Sequence, residues 1–385
     1  MHGLLPEDAA RARLVGRVWR ADLGCVAVIA VRDGRAVDIG ATVPTIADLL
    51  RHPDPLALVD GAGGEDLGPV EALLAPPDLA RPRSPRNCLL APVDLQPVRA
   101  CGVTFTRSLL ERVVDERSRG DPARAAALRA ELETLLGGTL AEVRPGSPEA
   151  LAVRERLRRE GLWSQYLEVG LGPDAEVFTK APPLAAVGPG AWVGVRPDSA
   201  WNNPEPEVVL AIAPDGRPVA ATLGNDVNLR DFEGRSALLL GKAKDNDGAC
   251  AVGPFLRLFD DGFRFDAELM AVEVELLVEG EDGFRLRDRH ALAAIGRPPA
   301  ELVAQAVAHH GYPDGLVLFL GTMFAPVQDR DAPGMGFTHR PGDRVRIASP
   351  RLGTLENRVG LTGRIPSWSY GIRDLVGDLA RRGRL

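Results

Sequence analysis

Between Asn203 and Asp226 two apolar, β-forming runs, EVVLAI and PVAATLG, flank an Asp-Gly pair at positions 215 and 216. Such a pair reaches the left-handed backbone region at low cost, so it is a strong hairpin signal. Two runs joined this tightly must pair antiparallel, which commits the middle of the chain to a sheet. The hairpin is entered through Asn-Pro-Glu-Pro-Glu, 203–207. Pro204 and Pro206 carry no N–H donor, so this stretch is expected at a strand start or a sheet edge. Glu205 and Glu207, two apart, share one face of a strand, roughly 6.5–7 Å apart along the backbone. If residues 215 and 216 form the loop, cross-strand partners have numbers adding to 431, and Asp226 faces Glu205. A three-residue loop with a bulge would shift that register by one. Carboxylates at the mouth of a buried strand are costly to desolvate, and three on one face repel unless a cation lies between them. All-oxygen ligation selects Mg²⁺, Ca²⁺ or Mn²⁺ over zinc or copper. The plain alternative is an exposed acidic strand end with no ion.

The rest of the chain gives the sheet its context. Strand-like runs such as LVGRVW, VAVIAV and AVDIG occupy residues 11–95, and the Pro/Arg-rich APPDLARPRSPRN at 75–87 reads as a linker or surface loop. This predicts a small N-terminal domain over 1–90 and a larger unit over 91–385. After a strand at RACGV, helices are expected through SLLERVVDERS, from Asp121-Pro122 to Gly137-Gly138, and from Ser147-Pro148 to Gly161. Being charged, they read as surface elements, with a lid over a site as the alternative. Beyond Trp163 strands dominate, interrupted by one helix at PPAELVAQAVAHHG. Few βα alternations and many antiparallel runs indicate an α+β, β-rich chain.

Composition narrows the function. A net charge of -7 speaks against nucleic acid or an anionic membrane as partner. The four cysteines, Cys25, Cys88, Cys101 and Cys250, are scattered without metal-like spacing and read as reduced thiols. No opening segment reads as a signal peptide and no apolar run is long enough to span a bilayer, so a cytoplasmic protein is expected. No GxGxxG, Walker loop or GxSxG elbow is present. Lys242 and Lys244 follow the hairpin in GKAKDND. A lysine beside a metal and an apolar wall can act as a base; otherwise it is a surface lysine.

Five segments, NPEPEVVLAI, GNDVNLRDFEGRS, GKAKD…GPF, LFLGTMFAP and PGDRVRI…LGTLENRV, stand in the order of the fumarylacetoacetate hydrolase family, which the chain resembles over about 95–385. With GLWSQYLEVGLGPDAEVFTK and WNNPEPEVV it is most similar to the 2-keto-3-deoxy-pentonate dehydratases of that family. The resemblance implies a β-roll catalytic domain with Mg²⁺ at its mouth, Mn²⁺ as a substitute, in a homodimer or homotetramer. It implies metal ligands at Glu205, Glu207 and Asp226, an active-site lysine at Lys242, and a substrate-binding turn at Gly321-Thr322. Arg230 stands at the family's arginine, and Asn246 is expected near the substrate. Many family hydrolases carry a His–Glu pair that activates water. Here GVTFTRSLLE keeps Glu111, while Ser108 replaces the histidine and Thr104 an asparagine or aspartate. That departure favours a reaction with no attacking water. The expected function is Mg²⁺-dependent dehydration of a 2-oxo acid, 2-keto-3-deoxy-pentonate, to 2-oxoglutarate semialdehyde. Lys242 is the expected base and Glu111, with Ser108, the expected acid. The alternatives are an acylpyruvate hydrolase or oxaloacetate decarboxylase, and a non-catalytic Ca²⁺-stabilised binding module.

Overall fold

The structure, a computed structural model, describes residues 3–132, 143–159, 161 and 163–385. Among the described residues the strands are β1 (Leu14–Arg20), β2 (Cys25–Arg32), β3 (Arg35–Asp38), β4 (Glu65–Pro69), β5 (Cys88–Leu90), β6 (Val98–Gly102), β7 (Glu176–Ala181), β8 (Trp192–Val195), β9 (Asn202–Asn203), β10 (Pro206–Ile212), β11 (Pro218–Asp226), β12 (Asn228–Leu229), β13 (Cys250–Leu258), β14 (Glu273–Glu279), β15 (Arg285–Ala291), β16 (Leu316–Phe319), β17 (Arg344–Ser349) and β18 (Gly353–Leu361). The large sheet runs β4-β3-β2-β1-β13-β11-β10-β16-β6-β7, with β5 paired to β1, and a second sheet runs β15-β14-β17-β18-β8.

The central hairpin forms in the expected register. Pro206 lies opposite Asn225 and Glu207 opposite Gly224, numbers adding to 431. The loop itself is longer than two residues. Ala213 N donates to Arg217 O at 2.8 Å, Gly216 takes a φ of 86°, and a bulge between Ala211 and Ile212 returns the strands to the longer register. Pro206 opens β10 where it has no ladder bond to lose, which reconciles proline with a central strand.

This hairpin is buried on both faces. Val208, Leu210 and Ile212 enter a core shared with Val274, Leu276, Val345 and Ile347 of the second sheet. Val209 and Ala211 enter another, closed by Ile46, Leu49, Leu50 and Val59 from the N-terminal helices Ile46–Arg51 and Pro55–Gly61. That double burial explains why β10 reads as a continuous apolar run. β1 pairs with β13 through Leu14 and Val15, so strands from either side of residue 90 share one sheet.

The start signals of the charged helices act as read. Ala123 N donates to Asp121 Oδ1 at 3.0 Å ahead of the helix Pro122–Leu132, and Ala150 N to Ser147 Oγ at 3.1 Å ahead of Pro148–Arg159. The end expected at Gly137-Gly138 lies outside the described residues. The expectation of surface helices fails for Thr106–Ser118, which buries Glu111, Arg112 and Asp115 as well as Leu109, Val113 and Val114. Its apolar residues Leu109, Val113 and Val114 form a separate core with Ala125, Ala150, Leu157, Leu167 and Trp201, while its polar face turns to the start of β10. There its charges meet the hairpin's carboxylates.

Candidate active site

The start of β10, the end of β11 and the turn after β16 converge on one small cleft. Carboxylate oxygens of Glu205, Glu207 and Asp226 lie within 4.8 Å of one another, and all three residues are buried. The hairpin register brings them together, since Asp226 N donates to Glu205 O at 3.0 Å. Glu207 accepts from Gly321 N at 2.7 Å and from Thr322 Oγ1 at 3.1 Å. The parallel pairing of β16 with β6 sets that turn beside residues 101–104. Gly321 is needed there: its φ is 103°, and a Cβ would come within 2.0 Å of Thr104 Oγ1.

The three carboxylates are not equally compensated. Burial pushes Glu205 up, but the Lys244 ammonium and Arg112 guanidinium bonded to it outweigh this and hold it at about 2. Asp226 faces Lys244 Nζ at 3.2 Å and Lys180 Nζ at 2.7 Å. Glu207 bonds only neutral donors, and burial with the facing Asp226 and Glu205 raises it well above the usual carboxylate range. A buried carboxylate in that state either carries a proton or shares a further cation. Three hard oxygen donors at this spacing fit a magnesium-type dication, with Glu207 as the ligand lacking a positive partner.

The cleft, about 300 Å³, is lined by these three, by Ser108, Arg112, Glu176, Glu233, Lys244 and Thr322, and by Cys101, Gly102, Val103 and Phe178. A larger cleft of about 790 Å³ lies between residues 184–188 and 365–370, but no carboxylate lines it, so size does not mark the site. Burial and the neighbouring Glu233 raise Glu176 to about 7. Burial also pushes the Cys101 thiol up, so it is no nucleophile at neutral pH.

Several expected residues are placed elsewhere. Lys242 is exposed, with its ammonium 5.9 Å from the Phe232 ring, while Lys244, two residues on, is buried against the cluster. The two lysines sit on the short helix Leu240–Lys244, where a two-residue step turns them to different sides. Asn246 donates to Lys242 O at 3.1 Å and does not line the cleft. Glu111 is also outside it, clamped by Arg129 at 2.6 and 2.9 Å and by Arg230 at 2.7 Å. Burial pushes Glu111 up, but the two guanidiniums outweigh it and hold it at about 2, which removes it as a proton donor. Arg230 is buried behind the cleft, on Asp115 and 4.2 Å from the Trp201 ring. Ser108 and Thr322 do line the cleft; the Ser108 hydroxyl donates to Phe105 O at 2.8 Å. The sequence reading missed Arg112, Glu176, Glu233 and Lys180. Only Lys180, a charge inside the strand-like EVFTKAP, carries a signal that could have been noticed.

The profile described as "Fumarylacetoacetate (FAA) hydrolase C-terminal" matches residues 151–360, more than half of the chain. The chain belongs to the fumarylacetoacetate hydrolase family. Within that family it is 32% identical over 209 residues to a Haloferax volcanii protein named "Probable 2-keto-3-deoxyxylonate dehydratase", covering 54% of this chain and 68% of that one. It is 30% identical over 184 residues to the 2-dehydro-3-deoxy-D-arabinonate dehydratase of Saccharolobus solfataricus, covering 47% of this chain and 57% of that one. The fold matches a solved structure of 2-keto-3-deoxy-D-arabinonate dehydratase complexed with magnesium and 2,5-dioxopentanoate, at a TM-score of 0.61 and 19% identity over 90% of this chain and 99% of that one. The strand-rich α+β architecture is therefore that of the fumarylacetoacetate hydrolase family. Among the described residues no helix is long and apolar enough to cross a membrane.

Proposed function

We propose that this chain is a Mg²⁺-dependent hydro-lyase that dehydrates a 2-keto-3-deoxy-pentonate to 2-oxoglutarate semialdehyde. The observation that carries the reading is Glu207, a buried carboxylate with only neutral donors in a three-carboxylate cluster open to a cleft. The names of the family relatives, 2-keto-3-deoxyxylonate and 2-dehydro-3-deoxy-D-arabinonate dehydratase, support the substrate class.

Glu205, Glu207 and Asp226 would hold the ion. When bound it supplies Lewis acidity for the substrate's carboxylate and C2 carbonyl, which favours loss of a C3 proton. The protein's own residues divide the rest. Lys244 is the base for the C3 proton, in place of Lys242. Burial favours its neutral form, but Asp226 and Glu205 outweigh this and keep the ammonium protonated. With Glu205 and Asp226 committed to an ion, their attraction for the ammonium would fall, and Lys244, its proton released to solvent, would be a neutral amine that takes the C3 proton. Glu176, raised to about 7 and lining the cleft, carries a proton near neutrality and gives it to the departing C4 hydroxyl, which leaves as water. The enone so formed becomes the aldehyde by a proton shift from C5. Ser108 and Thr322 offer hydroxyls for the substrate's polar end. Among the described residues no histidine lines the cleft, so none of them matches the water-activating histidine of a C–C hydrolase.

In this reading residues 91–385 are the catalytic domain and 1–90 a small N-terminal domain covering one face of its sheet. The protein is a cytoplasmic homodimer or homotetramer, and Mn²⁺ substitutes for Mg²⁺. Purified protein with Mg²⁺ is to be assayed on a panel of 2-keto-3-deoxy-pentonates, hexonates and acylpyruvates, with and without chelator. Dehydration of a pentonate, lost on chelation and restored by Mg²⁺ or Mn²⁺, is expected. Cleavage of acylpyruvates with pentonates untouched would overturn the reading.

A further inference from the structure

We propose that Lys180 is a positioning residue, one that fixes Asp226 and Lys244 relative to each other and thereby sets both metal affinity and turnover. The inference rests on the reading of the cluster as a Mg²⁺ site with Lys244 at its rim. Lys180 lies near the end of β7, and its side chain is completely buried. It is not among the residues lining the cleft, so it does not touch substrate. Its ammonium makes three contacts: Asp226 Oδ1 at 2.7 Å, Val227 O at 3.1 Å and Lys244 O at 2.6 Å. The two carbonyl contacts are hydrogen bonds, and the contact with Asp226 Oδ1 is an ion pair, since that oxygen is buried without a hydrogen-bond partner.

Each contact has a separate consequence. The first holds one oxygen of Asp226 and leaves the other facing Lys244 Nζ at 3.2 Å, which fixes the rotation of the carboxylate. The second pins the backbone immediately after Asp226. The third reaches the last residue of the helix Leu240–Lys244, where terminal carbonyls lack partners within the helix and a cation is favourable. One side chain from a third segment thus ties the strand end bearing a metal ligand to the helix end bearing the base. Partners of metal ligands that are held this way typically carry about 10–100-fold in metal affinity or activity. A simple counter-charge to buried Asp226 would need only the first contact, and losing it would lower stability alone.

The test is Lys180→Met, compared with wild type by calorimetric titration of Mg²⁺ into metal-free protein and by kcat and KM at saturating Mg²⁺. The expected result is a Mg²⁺ affinity about 10–100-fold weaker, with kcat about 10-fold or more lower and KM changed little. A folded variant with wild-type Kd and kcat overturns the proposal, whatever its melting temperature. Should Lys180→Met not fold, Lys180→Arg keeps the positive charge that a simple counter-charge requires. It is expected to fold and to lose affinity and kcat in the same direction, because a planar fork does not reproduce a three-point ammonium contact. Wild-type values in that variant overturn the proposal equally. The calorimetric arm needs no substrate, so a failure of the dehydratase reading in the substrate panel leaves it interpretable.

Discussion

Two lysines two residues apart show what one side chain's direction decides. Lys242 and Lys244 stand in the same short motif with the same charge and similar neighbours, and nothing in the letters separates them. Only the helical turn at 240–244 does, sending Lys244 to the carboxylates and Lys242 to solvent. Lys244→Met is therefore expected to abolish exchange of the substrate's C3 proton in heavy water, and Lys242→Met to leave it within about twofold of wild type. Equal exchange in the two variants would remove Lys244 as the base. Glu176 was invisible in the sequence for another reason: a lone glutamate opening a strand is ordinary until burial beside Glu233 is known. Its proton is held up to about pH 7 in the folded protein, against 4.5 as the ordinary value. The contribution is thus fully present below 4.5 and is lost as pH rises through about 7, because the folded chain keeps a proton that the unfolded chain has released. Glu176→Gln is neutral at every pH. In chelator, its unfolding free energy relative to wild type is expected to improve from pH 5 to above 7, by up to about 3 kcal/mol. A difference that stays flat across that range would show that Glu176 is ionised throughout.

The hairpin and the helix Thr106–Ser118 mark the two extremes of legibility among the elements. The hairpin's register followed from local chemistry, an Asp-Gly pair between β-forming runs. Even its bulge was among the options that turn geometry allows. The helix was readable as a helix, but not as a buried one. Its amphipathic pattern is weak because charges occupy the inward face. Glu111 meets Arg230 and Arg129, while Arg112 meets Glu205 and Glu233 at the cleft. Asp115 receives Arg112 at 2.9 Å and Arg230 at 2.5 Å with no solvent exposure. Periodicity measures where apolar groups go, so it cannot foresee charges that are buried in pairs. Breaking such a network by removing one partner costs more than the pair contributes, since a buried charge is left behind. Asp115→Ala is expected to lower unfolding free energy by about 3–5 kcal/mol in denaturant titrations. A loss below about 1 kcal/mol would mean that water reaches the two guanidiniums.

For the molecule as a whole, the order of the strands matters more than their number. The N-terminal strands extend the catalytic sheet through β1 and β13, and the helices at 46–61 seal the side of β10 that carries Val209 and Ala211. The Pro/Arg-rich stretch at 75–87 signals a change of composition, which is what a linear reading detects. Sheet continuity depends on pairings hundreds of residues apart, and no local pattern encodes it. A fragment of residues 91–385 would expose the β13 edge and the apolar face beneath those helices. It is expected to aggregate in light scattering, and the full chain to remain monodisperse. A soluble fragment with full Mg²⁺ binding would show instead that the N-terminal residues are a dispensable cover.

The parallel pairing of β16 with β6 has a kinetic consequence. It joins Val98 to Val317, and the donors of Glu207 follow it at Gly321 and Thr322. On the ribosome, a nascent chain carries all three cluster carboxylates once residue 226 has emerged, yet lacks this turn until nearly a hundred residues later. Contacts of such high contact order close late, after the local hairpins have formed. The carboxylate cluster is then among the last parts of the protein to mature, so an ion held there would stabilise the finished fold without guiding the route to it.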